Sequence, residues 1–232
     1  MRKILMMLCT MALFASCGTT KIPTQTASTT YKVGDVYNQN GLTGIVVAVD
    51  AKGEHGTIMS LEGSNAKWIA DNDLKFETNA FYEDDGQKNM EVIASYISNN
   101  SKSWSDFPLF AWAKSLGEGW YIPSKEETLE IWKNINGGSN TYDRWKFRAF
   151  DRKQRGYGGA NLVDTRFYIG TKQPWWWYTS TEIQDGTVYV VQFGNDFKSQ
   201  LTVGFHSTFK AFPAVKKQAI GNPYKSRAIH KF

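Results

Sequence analysis

The stretch "PWWWYTSTE", residues Pro174 to Glu182, places three tryptophans beside a run of β-branched and polar residues. In a β-strand successive side chains point to opposite faces, so Trp175 and Trp177 would share one face and Trp176 would take the other. No single face can therefore hold all three indoles. Aromatic strand residues usually belong to the core. Exposed adjacent indoles are instead typical of a surface that a partner covers.

The segments on both sides of this stretch predict an α+β domain. Upstream, the segment from Tyr31 to Glu62 predicts a β-meander with turns at Gly34-Asp35 and Asn40-Gly41. Its runs Gly44 to Val49 and Thr57 to Leu61 are rich in β-branched residues and predict a β-hairpin, closed by the link from Asp50 to Gly56. Downstream, the sequence predicts an antiparallel β-meander with the strands Trp177 to Thr181, Thr187 to Phe193, Leu201 to Phe205 and Phe209 to Val215.

Two or three helices are predicted between the hairpin and the meander. Ser124 and Glu127 form a capping box, which marks the start of the clearest helix. Asp106 is the predicted N-cap of a second helix, which Gly117 would end. One face of a further helix is predicted from the spacing of Met90, Ile93, Ala94 and Ile97.

The first 17 residues predict a lipoprotein signal peptide. Two positive charges precede an apolar run from Ile4 to Ala15, which is too short to span a bilayer comfortably. The run leads into Phe14-Ala15-Ser16-Cys17, which resembles a bacterial lipobox and predicts lipidation of Cys17; an ordinary signal peptide that contains a Cys is the alternative. Residues 18–30 are rich in Thr and Ser and predict a flexible tether.

Charge and cysteine content exclude several classes of function. The formal net charge is +5, and loss of the signal peptide would leave about +3, which is too weak to indicate nucleic-acid binding. Cys9 would leave with the signal peptide and Cys17 would carry lipid, so no thiol remains for a disulfide, a metal site or a nucleophile. Residues 216–232 are basic and predict a solvated tail.

The sequence also predicts that the chain is not an enzyme and holds no metal or cofactor. The histidines are His55, His206 and His230, which lie far apart along the chain, and no known catalytic spacing occurs. A calcium ion needs six to eight oxygen ligands. The triplets at 173–175 and 194–196 lack the acidic residue or the tryptophan that a lectin-type calcium site requires.

A family resemblance covers roughly residues 107–215. The blocks "LGEGWYIPSKEETLEIW", "WWWYTSTE", "VYVVQFG" and "FKAFPAV" resemble bacterial extracellular domains with a C-type lectin-like fold. This family of unknown function includes the C-terminal region of Legionella collagen-like adhesins. Its pattern is "GWRLPT.EEL", "YWSSTE", "A..F..G" and a closing "VRAVR", and Lys210 stands where the closing arginine is expected. The segment from Tyr31 to Glu62 resembles the hairpin that precedes such domains in lipoproteins of the Bacteroidetes type.

The resemblance implies a C-type lectin-like domain over residues 31–215, including the N-terminal β-hairpin. Trp177 would belong to its core strand, with Trp175 and Trp176 just before that strand, at the end of a long irregular segment, 139–174. We expect a lipid-anchored binding or adhesion module in the cell envelope, at the outer membrane, with a glycan or an extracellular protein as its ligand. The expected contact residues are Trp175, Trp176, Tyr157 and Arg155. A structural lipoprotein without a small ligand and an envelope enzyme are the alternatives.

Overall fold

The computed structural model describes residues 30–70, 77–139, 143–162, 175–183, 187–193, 210–213 and 225–232. The predicted signal peptide, Cys17, the tether as far as residue 29 and the predicted strand 201–205 lie outside the described residues. In Trp175 and Trp176 the backbone is described but the side chains are not. The burial of these two indoles therefore stays outside the described structure.

The described residues form seven strands and four α-helices in two antiparallel sheets, so the predicted α+β class is confirmed. The strands are β1 Val36–Gln39, β2 Leu42–Val49, β3 Gly56–Met59, β4 Trp175–Ile183, β5 Thr187–Phe193, β6 Lys210–Pro213 and β7 Ile229–Lys231. The helices are α1 Gly86–Asn99, α2 Pro108–Ser115, α3 Lys125–Ile135 and α4 Arg144–Gly156. Not one of the helices within these described ranges is long and apolar enough to cross a membrane.

The first sheet has the strand order β1-β2-β3-β7, and its first three strands form the meander that the sequence predicts. Asn40 and Gly41 connect β1 to β2 with positive φ angles of 54° and 76°. Such angles at both central residues are typical of a two-residue hairpin turn whose twist matches the strands. This turn sets the register that places Val36 opposite Ile45.

The prediction of a solvated basic tail over residues 216–232 is wrong for its last eight residues. Ile229 to Lys231 form β7, which pairs with β3 and completes the first sheet. Within this segment Arg227 is only 2% exposed, and Ala228 and Ile229 are also buried. The pairing partner lies about 170 residues earlier in the chain, so no local periodicity indicates this strand.

Three helices agree with the sequence and one does not. Ser124 and Glu127 form the predicted capping box of α3, and Ile93 and Ile97 are buried on the inner face of α1. Asp106 is not the N-cap of α2: it ends a short 3-10 helix, and Phe107 takes the cap position. The segment 139–174 was expected to be irregular, but α4 occupies residues 144–156 of it, capped by Asp143.

The core consists of two apolar clusters, and β4 contributes to both. Trp177 lies in one cluster with Phe147 and Phe150 of α4, while Tyr178 lies in the other with Trp68. Trp177 and Tyr178 are 1% and 2% exposed, which confirms the predicted core strand. The strand begins at Trp175, so Trp175 and Trp176 belong to β4 and do not precede it. Their Cα partners on β5 are Phe193 and Gln192.

Candidate functional site

Two of the four predicted contact residues lie at the end of α4, where they contribute to the fold. The Arg155 guanidinium donates a hydrogen bond from Nε to Oδ2 of Asp151 at 3.1 Å, and Asp151 is buried. Tyr157 is the C-cap residue of α4 and packs, half-buried, against the cluster that contains Trp177. The end of α4 and strand β4 therefore contact the same apolar cluster. The side chains of Trp175 and Trp176 lie outside the described structure.

Glu127, one of the glutamates of the first family block, uses both carboxylate oxygens to stabilise the fold. Its Oε2 accepts hydrogen bonds from the backbone N–H groups of Ser124 and Gly86, at 2.9 and 3.0 Å, and its Oε1 accepts one from the Tyr121 hydroxyl at 2.8 Å. These bonds join α3, the start of α1 and the segment before α3. Burial and the neighbouring Glu127 carboxylate raise the pKa of Tyr121, so the phenol keeps its proton and remains a hydrogen-bond donor.

The polar end of the second family block also binds to neighbouring segments. The Ser180 hydroxyl accepts a hydrogen bond from the side-chain amide of Asn89 on α1, and the Thr181 hydroxyl donates one to the Tyr82 carbonyl. Glu182 is 2% exposed and its Oε2 accepts bonds from both the N–H and the hydroxyl of Thr78. Its Oε1 is buried and has no hydrogen-bond partner in the described part of the chain. This carboxyl group is therefore only half satisfied.

Burial raises the pKa of Glu182 from 4.5 to about 7, and the nearby charge of Glu77 acts in the same direction. The hydrogen bonds from Thr78 oppose the shift but do not cancel it. An unpartnered oxygen in an apolar environment favours the neutral acid, because ionisation there would have no second set of donors. The pKa of Glu182 is therefore near neutral, and its carboxyl group contacts the segment that contains Thr78.

The variant Glu182→Gln is expected to remove part of the pH dependence of folding. A raised folded-state pKa means that the native protein keeps a proton which the unfolded chain has released, so stability falls as the pH rises from 4.5 to about 7. The wild type should lose up to about 3 kcal/mol over this range through Glu182. Urea titrations at several pH values would measure the free energy of unfolding, with Glu130→Gln as the control because Glu130 is exposed. Identical pH profiles for wild type and Glu182→Gln would show that the group does not titrate there.

A cleft of about 400 Å³ lies beside α1, and we call it the α1 cleft. One wall is the outward face of α1, where residues recur every three or four positions along the helix. The other wall is the turn at Thr78 and Asn79, where Asn79 adopts a positive φ of 65°. The lining residues are Thr78, Asn79, Lys88, Glu91, Val92, Ser95, Tyr96, Asn99 and Asn100.

The α1 cleft combines a partly apolar floor with a rim of hydrogen-bonding groups. Val92 and Tyr96 are half-buried, and the Tyr96 ring meets the buried Phe107 ring edge to face with centroids 6.0 Å apart. On the rim, Lys88 Nζ and Glu91 Oε2 lie 2.8 Å apart, which leaves the cleft without net charge from this pair. Exposed amide and hydroxyl groups complete the rim. Such a combination suits a neutral ligand rich in hydroxyl groups.

Sequence patterns could not reveal the α1 cleft. The outward positions of α1 are polar, which is the ordinary composition of a solvated helix face. The cleft exists because Thr78 is held against β4 by Glu182, and this places Asn79 beside the helix. The only sequence signal was the glutamate of the "TSTE" block, whose partner is a distant residue.

No group of three or more potential metal-ligating side chains exists in the described ranges. His55 is exposed in the hairpin link, and His230 lies on β7, where its ring packs edge to face with Trp120. His206 lies outside the described residues. These positions bring together no catalytic pair among the residues that the structure describes.

The comparisons with known proteins give one structural match. No protein-family model matches the sequence, and no curated protein matches it significantly. The fold is similar to that of a fimbrial protein. The fimbrial protein comes from Bacteroides ovatus ATCC 8483, and its structure matches this chain with a TM-score of 0.52 at 15% sequence identity. The alignment covers 87% of this chain and 49% of the fimbrial protein, so the chain spans about half the length of the structure that it matches. At this identity the similarity concerns the fold alone.

Proposed function

We propose that this chain is a lipid-anchored binding module of the bacterial cell envelope that holds a glycan in the α1 cleft and has no catalytic activity. Lipid on Cys17 would attach it to the outer membrane, and the tether would connect the lipid to the domain. The lipobox-like segment from Phe14 to Cys17 supports the anchor. The name of the structural neighbour, a fimbrial protein, supports a location at the cell surface.

A C-type lectin-like fold is part of the proposal, and the C-terminal strand supports it. The family pattern closes with Val-Arg-Ala-Val-Arg, and the segment from Arg227 to Ile229 reads Arg-Ala-Ile. This segment returns the end of the chain to the first sheet. It fits the closing block better than Lys210 does, because Arg227 is buried and contacts backbone carbonyl groups.

The α1 cleft is the observation that carries the binding function. Its volume lies within the range of about 300 to 1,000 Å³ that is common for small-ligand sites. Asn99, Asn100 and Ser95 provide donors and acceptors, and the ion pair of Lys88 and Glu91 adds both kinds of group to the rim. A sugar ring presents adjacent hydroxyl groups on its edge and an apolar face that Tyr96 could contact.

The surface at Trp175 and Trp176 is the second candidate for ligand contact. The two residues open β4, at the edge of the segment 163–174 that lies outside the described residues. If their indoles form an exposed platform, removing both should leave stability within about 0.5 kcal/mol of the wild type. Ligand binding would then fall, since truncation of a desolvated tryptophan commonly costs about 2 kcal/mol or more.

A glycan and matrix-protein array tests the proposal and separates the two surfaces. The probe is the predicted mature chain, residues 17–232, with Cys17→Ser so that it carries no lipid. We expect a glycan signal that falls about tenfold or more in Lys88→Met/Asn99→Ala, because each lost hydrogen bond costs about 0.5 to 1.5 kcal/mol and more for a charged donor. The variant should fold as stably as the wild type, since both side chains are exposed.

The matched control is Lys67→Met/Asn65→Ala, which changes the same residue types at exposed positions away from the cleft. It should bind like the wild type. Loss of binding in Trp175→Ala/Trp176→Ala, with Lys88→Met/Asn99→Ala unaffected, would assign the ligand to the start of β4. An array without any glycan signal would contradict the proposal and favour the structural lipoprotein.

A further inference from the structure

Helix α4 carries an unusual concentration of positive charge. Its thirteen residues include six basic side chains, with Asp151 as the acidic residue of the helix. The net charge of α4 is therefore +5, which equals the formal net charge of the whole chain. The apolar residues Phe147 and Phe150 face the core, whereas Lys146, Arg152 and Lys153 are exposed.

The outward side of α4 also presents an exposed indole. Trp145 is 73% exposed, and Arg152, seven residues later, lies on the same side of the helix. Arg148 lies to one side of the line that joins Trp145 and Arg152, and Lys146 lies to the other, because each residue advances the helix by about 100°. We call Trp145, Lys146, Arg148 and Arg152 the basic face.

Basic residues of α4 contact three acidic side chains, Asp143, Asp35 and Asp151. Asp143 caps the helix by accepting bonds from the Trp145 and Lys146 N–H groups, and its Oδ2 is 3.9 Å from Lys146 Nζ. Asp35 pairs with Lys153, and the buried Asp151 pairs with Arg155. Arg152 is exposed and has no acidic partner in the described part of the chain.

Contacts of α4 place it beside the point where the domain begins. Lys153 Nζ lies 3.1 Å from Asp35 Oδ1, and Gly34 lies against both Phe150 and Lys153. The chain reaches this point directly from the tether, since the domain begins at Tyr31. A tether of thirteen residues spans at most about 45 Å, and its average span is about 20 Å. Lipid at Cys17 would thus hold α4 within reach of the bilayer.

We propose that the basic face of α4 docks on the anionic phospholipid surface of the membrane that holds the lipid anchor. This inference rests on the proposed function in one respect, the anchor at Cys17. Clustered Lys and Arg side chains attract acidic headgroups. Tryptophan is enriched at the level of the headgroups because its ring is largely apolar while its N–H remains hydrated there. Docking would fix the orientation of the domain.

Binding to lipid vesicles tests this proposal. The probe is the chain of residues 17–232 with Cys17→Ser, mixed with vesicles of phosphatidylglycerol and phosphatidylcholine or with vesicles of phosphatidylcholine alone. We expect sedimentation with the anionic vesicles only, weakened by salt because the Debye length falls from about 30 Å at 0.01 M to about 8 Å at 0.15 M. The tryptophan emission should shift to the blue on binding, and Trp145→Phe should remove this shift.

The variant Lys146→Gln/Arg148→Gln/Arg152→Gln should bind anionic vesicles about a hundredfold more weakly, since each cation near the surface contributes roughly a fivefold effect. The control Lys67→Gln/Lys102→Gln/Lys133→Gln removes the same charge from exposed positions elsewhere and should bind like the wild type. An equal loss in both variants would overturn the proposal, because net charge alone would then explain binding. Binding to heparin without binding to anionic vesicles would also overturn it.

A separate experiment tests the lipid anchor, so that a wrong prediction of the anchor can be distinguished from a wrong prediction of membrane docking by α4. Membrane fractionation of cells that make the full-length chain or its Cys17→Ala variant reports lipidation alone. If Cys17→Ala still sediments with the envelope after a high-salt wash, the anchor of the proposed function is wrong. The vesicle result with the lipid-free chain does not depend on that outcome.

Discussion

Replacing Arg227 by Met is expected to lower the free energy of unfolding by about 3 to 5 kcal/mol. The Arg227 guanidinium is buried and donates hydrogen bonds to the carbonyl oxygens of Ser60, Leu61 and Ala160. Each buried acceptor that loses its donor costs about 1 to 3 kcal/mol. Burial lowers the pKa of Arg227 to about 10, so the side chain is still charged at neutral pH, and the charge of Asp151 supports it.

Chemical denaturation of Arg227→Met beside Arg152→Met measures this effect. Arg152 is exposed, so the same substitution there should change stability by less than about 0.5 kcal/mol. The substitution also removes the Arg227 hydrogen bonds that connect the C-terminal segment to Ser60 and Leu61, the residues after β3. If Arg227→Met were as stable as Arg152→Met, the C-terminal segment would not be an integral part of the first sheet.

Truncation of Trp177 to Ala is expected to cost about 3 to 5 kcal/mol, the usual range for a large aromatic side chain in a core. Trp177 is 1% exposed and packs in the cluster that α4, α3 and both sheets share. Its removal would leave a cavity that rigid strand neighbours cannot fill. Thermal unfolding should show a lowered Tm in Trp177→Ala.

The matched control is Trp145→Ala, because Trp145 is the largely exposed tryptophan of α4. It should leave the Tm close to the wild-type value. A loss of less than about 1 kcal/mol in Trp177→Ala would mean that β4 does not form the centre of the core. The same experiment with Trp175→Ala/Trp176→Ala reveals whether those indoles behave like Trp177 or like Trp145.

Local signals predicted the parts of the fold that depend on local physics. The capping box at Ser124 and Glu127 is a short-range hydrogen-bond pattern, and it appears in the structure as the sequence predicts. The turn at Asn40 and Gly41 is likewise set by residues that tolerate positive φ. The strand β5 matches its predicted limits because its β-branched run is bounded by turn residues.

The errors arose where long-range contacts decide the structure. Strand β7 has one β-branched residue, Ile229, and its partners on β3 and at Tyr121 lie far away in the sequence. Helix α4 did carry a local signal, since Asp143 can cap it and Phe147 and Phe150 are spaced as one face. The many charges hid that signal, because helices of ordinary amphipathic composition have more apolar positions.

The candidate site was harder to predict than the fold, for a physical reason. The expected contact residues were chosen as aromatic and basic residues in an aperiodic segment, and Arg155 and Tyr157 instead stabilise the end of α4. The α1 cleft depends on the hydrogen bonds between Glu182 and Thr78, which join two segments about a hundred residues apart. A cleft made by such a contact leaves no spacing in the sequence.

Amide hydrogen exchange with the glycan that binds best on the array tests the binding function most directly. Ligand in the α1 cleft should slow exchange in the second half of α1 and at Thr78 and Asn79, because bound ligand suppresses local opening of the segments that it contacts. We expect this protection in the wild type and its absence in Lys88→Met/Asn99→Ala. Protection confined to the first residues of β4, with α1 unchanged, would contradict it.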